Sequence, residues 1–399
     1  MKHLLIIGAW PEAVIKCIEV PGIRVSVINP ADWSEQDIVK KAKYYIESDI
    51  TNFNKCLNHV KMVNQKQKID FIITMVERSL DIVASISDKL GIPSVSSSLV
   101  RNTRYKNLLR GKLTGSKFDN IPWIYLPKGD KVEKDLSNSL ADKFIAKPCS
   151  GSGSKGIKFL DHKDLECFSD IESDYVIEKF VDGPEFSVES FSIRGKHYLL
   201  PIVEKVTNGI PSFTEIKHIV PANISESCNE LIKKNVIQFL DLLNVKESIC
   251  HTELKVVDDE VYIIETQTRP GGDRIWKMLE ECTDLDYINL FVSALFHQEN
   301  ELLNDKIIDD YKPKKIVINK YFNKGGGVIE KVSELRDILD DKSIVCSDVP
   351  FQEGYRFRDM NSSSQRNGFI VYSGDEYNDL NDHIDHIEHE IYSRMVISK

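Results

Sequence analysis

Residues 249–274, ICHTELKVVDDEVYIIETQTRPGGDR, constrain the fold more than any other stretch of the chain. Two runs rich in Val, Ile and Tyr flank a polar tip, Asp258-Asp259-Glu260, which is the pattern of a β-hairpin. With those three residues as the loop, Val257 pairs with Val261 and Glu253 falls opposite Glu265. Side chains alternate with period two. His251, Glu253, Glu265, Gln267 and Arg269 therefore share one face, and Leu254, Val256, Tyr262 and Ile264 share the other, core-facing one. Carboxylates directly across a ladder repel unless something compensates. A divalent cation would do so, since Mg²⁺ is commonly held by one or two carboxylates plus substrate phosphates. The competing reading is a solvated hairpin edge with scattered charges. The following Arg269-Pro270-Gly271-Gly272-Asp273-Arg274 favours the first, because two guanidinium groups on a turn suit phosphate or carboxylate.

A chain of 399 residues has room for two or three domains with their own cores. With 41% hydrophobic and 29% charged residues it has an ordinary globular composition. The formal charge of −10 argues against general affinity for nucleic acid or anionic membranes. No apolar run is long enough to span a bilayer. The opening MKHLLIIGAW has a brief apolar run, meets Glu12 soon and lacks a small-residue cleavage site, so it reads as a strand and not as a signal peptide. Eight dispersed cysteines without C-x-x-C suggest neither a disulfide framework nor a zinc site, and reduced thiols in the cytoplasm are the expectation.

In chain order, residues 3–9 read as a strand, 11–20 as a helix opened by Pro11 and 24–30 as a second strand, a βαβ start. One glycine at its turn does not make a dinucleotide fingerprint. Residues 70–77 and 79–91 repeat the strand and helix. Glu77 and Arg78 stand at the carboxyl end of that strand, where open α/β sheets place ligands, or else solvate a loop. Residues 101–113 read as one helix with Arg104, Lys106 and Arg110 on a solvated face, and 128–142 as a polar helix. In residues 143–160, KFIAKPCSGSGSKGIKFL, a strand carrying Lys147 enters a loop with Gly151, Gly153 and Gly156. A strand follows, not a helix, and no Lys follows the second glycine as a P-loop requires. What is left is a hairpin loop whose bare amides can fold over phosphates. Residues 174–180 and those from Glu185 onward form strands around Val181-Asp182-Gly183-Pro184, and 197–206 form another. Residues 224–243 read as an amphipathic helix and 284–298 as an apolar one. At the C-terminal end, 314–323, 343–357 and 368–374 read as strands, and 332–341 and the polar terminus as helices. Arg356, Arg358 and Arg366 could reach a carboxylate or phosphate, with solvation at the surface the expectation.

Lys106, then Lys147 with its glycine loop, Glu178-Lys179-Phe180-Val181, Glu185, Glu253 and Glu265-x-Gln267-x-Arg269 occur in one order along the chain. That series resembles the ATP-grasp superfamily over nearly the whole length. Within it the chain is most similar to the bacterial L-amino-acid (dipeptide) ligases of the bacilysin-synthetase type. The local likenesses are His251-Thr252-Glu253, ETQTRPGGD, FTEIKHIVP and SSQRNGFIVYSG. The resemblance implies a mixed α/β and α+β fold of ATP-grasp architecture. Its parts are a Rossmann-like domain over 1–100, a two-lobed nucleotide clamp over 101–182 and 183–300, and an α+β piece over 301–399.

It also implies Lys106 and Lys147 on the phosphates of ATP, with Ser152, Gly153 and Ser154 in the covering loop. The backbone of Lys179, Phe180 and Val181 would meet adenine and Glu185 the ribose, with Glu178 also in the cofactor site. Glu253, Glu265 and Gln267 would hold Mg²⁺, with Mn²⁺ as an alternative. Gln267 departs from the usual Asn. Arg269, with Lys147, would be catalytic, and Glu215, His218, Arg269, Gly271 and Gly272 would contact the amino acids. The implied reaction is ADP-forming carboxylate–amine ligation joining two amino acids through an acyl phosphate, with small molecules as partners, no nucleic acid, no membrane, and a homodimer left open. The alternatives are another ATP-grasp enzyme, such as a carboxylase subunit or purine-pathway ligase, and a non-catalytic nucleotide-binding regulator. A kinase is set aside for want of H-R-D and D-F-G.

Overall fold

A computed structural model describes residues 1–132, 143–151, 153–168, 173–297 and 313–398. The chain opens with β1 (Lys2–Ile7), α1 (Pro11–Ile18), β2 (Ile23–Asn29), α2 (Gln36–Lys41), β3 (Tyr45–Glu47), α3 (Phe53–Lys66), β4 (Phe71–Ile73) and α4 (Leu80–Leu90). Its strands form a parallel sheet in the order β3-β2-β1-β4. Leu4 to Ile7 are fully buried, because an interior parallel strand is covered on both faces and so reads as a continuous apolar run. Gly8 ends β1 at φ +81, where a Cβ would lie 2.7 Å from Val76 and 2.8 Å from Ile50. The strand expected over 70–77 stops at Ile73. Thr74 takes the Val76 amide on its hydroxyl (3.1 Å), and Glu77–Ser79 becomes a short 3-10 turn.

The helix expected over 101–113 is two helices, α5 (Ser97–Arg104) and α6 (Lys106–Leu113), broken at an extended Tyr105. The break frees the Lys106 amide to donate to the Cys149 carbonyl at 2.9 Å, which seats Lys106 beside the end of the next sheet. That sheet is antiparallel, ordered β5-β8-β6-β7, from β5 (Trp123–Leu126), β6 (Lys143–Pro148), β7 (Lys158–Asp161), the helix α7 (His162–Cys167) and β8 (Tyr175–Lys179). Of the helix expected over 128–142, residues 133–142 lie outside the described residues.

The largest sheet runs β14-β13-β9-β11-β12-β15-β18-β17, with β10 beside β9. Its strands are β9 (Glu185–Ile193), β10 (Lys196–Leu199), β11 (Val203–Thr207), β12 (Glu215–Val220), β13 (Ser248–Val257), β14 (Glu260–Gln267), β15 (Ile316–Tyr321), β17 (Ile344–Asp348) and β18 (Phe369–Gly374). Where one strand is expected over 197–206 there are two, parted at Pro201, which has no amide to give a ladder. The strand expected over 343–357 ends at Asp348, shortly before Pro350. The helix expected over 332–341 is only α11 (Arg336–Leu339), preceded by β16 (Val328–Val332). β16 pairs with β19 (Met395–Ser398) after the terminal helix α12 (Tyr377–Ser393).

The helix α8 (Glu226–Leu242), capped by Ser225, packs Ile232, Val236 and Phe239 against Val188, Leu254 and Ile263 on one face of the sheet. Helix α9 (Ile275–Thr283), which the sequence reading lacks, and α10 (Tyr287–Phe296) share a core with β1, β2 and α1. Among the described residues no helix is long and apolar enough to cross a membrane.

Candidate active site

The hairpin β13–β14 turns on two residues, not three: Asp258 and Asp259 both have positive φ, +50 and +60, and Val257 pairs with Glu260. Two consecutive left-handed residues match the right-handed twist of the flanking strands, and Asp tolerates them. That turn alone would set Glu253 opposite Ile264. A β-bulge at Ile264 adds one residue to β14 and puts Glu253 opposite Glu265. The expected pairing of the two carboxylates thus holds by a different route. The faces beyond the bulge change accordingly. Leu254 and Val256 pack with Val261 and Ile263 in the core. Tyr262 and Ile264, expected there, lie on the other side, and Ile264 lines the cleft.

That cleft, about 900 Å³ with the open solvent at its mouth included, separates the β5–β8 sheet from the large sheet. It brings together Lys106, Lys147, Gly153, Ser154, Glu178, Lys179, Phe180, Val181, Glu185, Glu215, Glu253 and Glu265. Ser152 lies outside the described residues. Ile121, Ile145, Ile264 and Phe213 add an apolar wall. Phe180 lies edge-on to Phe159, with ring centres 5.2 Å apart, and is tilted on Phe213 at 5.5 Å.

The buried charges of the cleft are paired, as burial demands. Lys147 donates to Glu178 at 2.8 Å, and Arg110 donates to the other oxygen of the same carboxylate at 2.7 Å. Burial alone would raise the Glu178 pKa, but these two cations bring it down to about 2. Lys106 meets Glu265 at 2.9 Å and the Gly151 carbonyl at 3.3 Å. Lys205 meets Glu253 at 2.6 Å, Glu185 at 3.0 Å and Glu215 at 3.5 Å. Burial opposes the charge on Lys205, yet Glu253, Glu185 and Glu215 hold its pKa well above the usual value. His251 lies between Glu189, with a short contact to Nδ1, and Glu253 at 3.1 Å from Nε2. Burial works against its protonation, and the two carboxylates, Glu189 foremost, raise its pKa to about 9.

The remaining expected residues lie outside this lining. Gln267 is 1% exposed and its Oε1 has no hydrogen-bond partner among the described residues. Arg269 pairs with Glu77 at 2.8 Å. Glu77 also lies 3.7 Å from Arg104, so the end of the first sheet reaches toward the hairpin, while Arg78 packs on Trp33. The Gly271 amide donates to Glu189 (2.9 Å), and a Cβ there would stand 2.6 Å from that carboxylate. A Cβ on Gly272 would meet nothing. His218 is buried with Nε2 3.8 Å from Asp273. It stands opposite Lys205, and a bulge near Thr207 brings Glu215 toward the same lysine.

Arg356 and Arg358 are exposed, as expected. Arg366 is not. Its side chain is 10% exposed, paired through both terminal nitrogens with Asp273 and stacked 3.7 Å from the centre of the Tyr321 ring. The expected solvated face of 101–113 is corrected at Lys106 and Arg110, which are 8% and 3% exposed. Sequence reasoning also missed Lys205 and Glu189. The available signal was period two: Glu185 and Glu189 share a face of one strand, and Lys205 is a lone cation inside another.

The arrangement provides buried ammonium groups for a polyanion, an aromatic and aliphatic slot beside them, and two opposed carboxylates whose repulsion Lys205 and Lys106 offset. Residues 140–277 match the family model of the ATP-grasp domain. A D-alanine–D-alanine ligase of Parabacteroides distasonis is 24% identical over 206 residues, which are 48% of this chain and 59% of that protein. A carbamoyl-phosphate synthase of Methanobrevibacter smithii is 26% identical over 226 residues, 54% of this chain and 61% of its own. The chain thus spans about three-fifths of the length of these curated relatives. The crystal structure of an L-amino acid ligase from Bacillus licheniformis superposes with a TM-score of 0.82 at 21% identity, over 100% of this chain and 98% of that one. Residues 140–277 are an ATP-grasp domain, and the chain carries the ATP-grasp fold along its whole length.

Proposed function

We propose that this chain is an ADP-forming, ATP-dependent carboxylate–amine ligase that joins two L-amino acids into a dipeptide. One observation carries the reading: Lys106, Lys147 and Lys205, all buried, converge with the opposed Glu253 and Glu265 on one cleft under a glycine loop. Phosphoryl transfer asks a protein for positioning and charge neutralisation more than for covalent chemistry. An oxygen of the first amino acid's carboxylate takes the γ-phosphoryl group, the bond to the β-phosphate oxygen breaks, and ADP leaves. The amine of the second attacks the acyl carbon, loses a proton and expels phosphate.

In this reading Lys106 and Lys147 bind phosphates, the residues around Phe180 hold adenine and Glu185 the ribose. Glu253 and Glu265 would supply the carboxylate oxygens that suit Mg²⁺, or Mn²⁺ in its place, on exchange of their lysine partners, and the partnerless oxygen of Gln267 would be a third donor. A cation held there would neutralise charge on the transferring group. Glu77 orients Arg269 toward the phosphoryl group, and Gly272 leaves backbone open to substrate. Glu215 receives the α-ammonium group. Glu215→Ala should raise the amino-acid KM far more than the ATP KM, by about 1.5–3 kcal/mol or roughly ten- to a hundredfold. An unchanged amino-acid KM would remove it from the site.

The deciding experiment measures products across pairs of the proteinogenic amino acids. ADP and phosphate should appear only with amino acids present, and hydroxylamine should trap a hydroxamate. AMP and pyrophosphate would overturn the mechanism, and bicarbonate-dependent turnover without an acceptor would make the chain a carboxylase.

A further inference from the structure

Residues 360–366, between β17 and β18, touch both the loop before β12 and the glycine loop at the cleft's rim. The Met360 carbonyl accepts from Asn208 (3.3 Å), Ser212 (3.1 Å) and Thr214 (3.4 Å), which fastens the loop before β12. The Ser363 amide donates to the Gly153 carbonyl in the glycine loop at 3.3 Å, and its hydroxyl donates to Glu215 at 2.7 Å. Ser154, next in the glycine loop, donates to the Phe213 carbonyl at 3.3 Å. Arg366 closes the set. Its Nε holds the Ser363 carbonyl at 2.9 Å while its terminal nitrogens grip Asp273.

Asp273 and Arg274 are both left-handed, with φ +55 and +60, in the turn that follows Arg269. Two such non-glycine residues are strained and persist only where their surroundings hold them. The holders here are Arg366 on the Asp273 side chain and Asn319 on its carbonyl at 2.9 Å. A planar guanidinium can serve the carboxylate bidentately and still offer Nε at right angles to a carbonyl, which an ammonium cannot do.

We propose that Arg366 is a positioning residue that sets both ends of the site at once: the 271–274 turn through Asp273, and the glycine loop through Ser363. The proposal rests on the ligase reading only for what it says of turnover. Lys155, exposed in the glycine loop, gives a readout that needs no activity, because trypsin cleaves after it when the loop is undocked.

The full-length protein is tested as Ser363→Ala, Arg366→Gln and Arg366→Lys, with rates referred to the folded fraction from melting curves. Arg366→Gln should speed cleavage after Lys155 by about three- to tenfold, with Arg366→Lys between it and wild type, while Ser363→Ala, which keeps the backbone amide and carbonyl that join Gly153 and Arg366, should be cut at close to the wild-type rate. MgADP should slow the cut less in the Arg366 variants than in wild type. In the ligase assay Arg366→Gln should lower kcat by roughly tenfold or more through the displaced turn, with partial recovery in Arg366→Lys. Cleavage at the wild-type rate in Arg366→Gln would overturn the proposal. Should the wild type form no ADP with any amino-acid pair, the ligase reading falls, and the proteolysis still decides the role of Arg366.

Discussion

Glu178 is held by two cations that arrive from different elements, Arg110 from α6 and Lys147 from β6. At 2% exposure it is a carboxylate that water does not screen, so its low pKa is a statement about stability. A folded pKa of about 2 lies below the ordinary glutamate value of 4.5. The stabilisation is therefore present above pH 4.5 and is lost as pH falls toward 2. Its size is about 3 kcal/mol, of which about 2 kcal/mol is gone by pH 3. Urea unfolding of wild type and Glu178→Gln should show a stability gap that narrows by that amount between pH 6 and pH 3. A gap that stays constant over this range would mean that the carboxylate is not ionised against Arg110 and Lys147. The same residue shows why Lys147 has a fixed place in the cleft: its partner is held from behind by Arg110.

The hairpin β13–β14 is the element that sets the carboxylate pair, and its geometry depends on a bulge that a side chain from α6 contacts. β14 is the outermost strand of the large sheet. At the bulge the carbonyls of Ile263 and Ile264 accept from Arg110 at 2.8 and 3.3 Å. Arg110 thus ties the backbone that positions Glu265 to the carboxylate that positions Lys147. Arg110→Met keeps most of the apolar stem but removes every one of these bonds and leaves Glu178 with one cation. The expected loss is about 3–5 kcal/mol of stability, as for breaking one partner out of a buried pair. Nucleotide affinity measured by calorimetry should fall with it, because the two walls of the cleft lose their common strut. Wild-type stability in that variant would show that the bulge is maintained by its strands alone.

Across the whole molecule, strands from distant parts of the chain make one surface. β12 pairs with β15, and β15 with β18, so the sheet passes without a break from the strands bearing Glu185 and Glu253 to those near the C-terminus. The first sheet joins it through a shared core of α1, α9 and α10 and through the Glu77–Arg269 pair. What the sequence by itself determined was local and periodic. The apolar run of β1, the Val- and Ile-rich arms of the hairpin, the spacing of α8 and the glycines after Lys147 each impose one backbone on a short window. It was the order of the motifs, through the resemblance to the ATP-grasp superfamily, and not these windows that put Lys106, Lys147, Glu253 and Glu265 in one expected site, and all four line the cleft. Residue type and alternation alone carry no information about partners at long range. Arg110 looked like a solvated helix cation because the Glu178 and Ile263 that bury it lie 68 and 153 residues away. The one-residue error in the hairpin turn was hidden by a bulge at Ile264, where Arg110 binds the carbonyls of Ile263 and Ile264 and Ile263 packs with α8. Arg366 read as a surface charge for the same reason: Asp273, Tyr321 and Ser363 surround it only when the sheet is complete. Tertiary structure decided these cases because a buried charge is tolerable only beside its partner, and the fold, not the sequence window, brings the partner there.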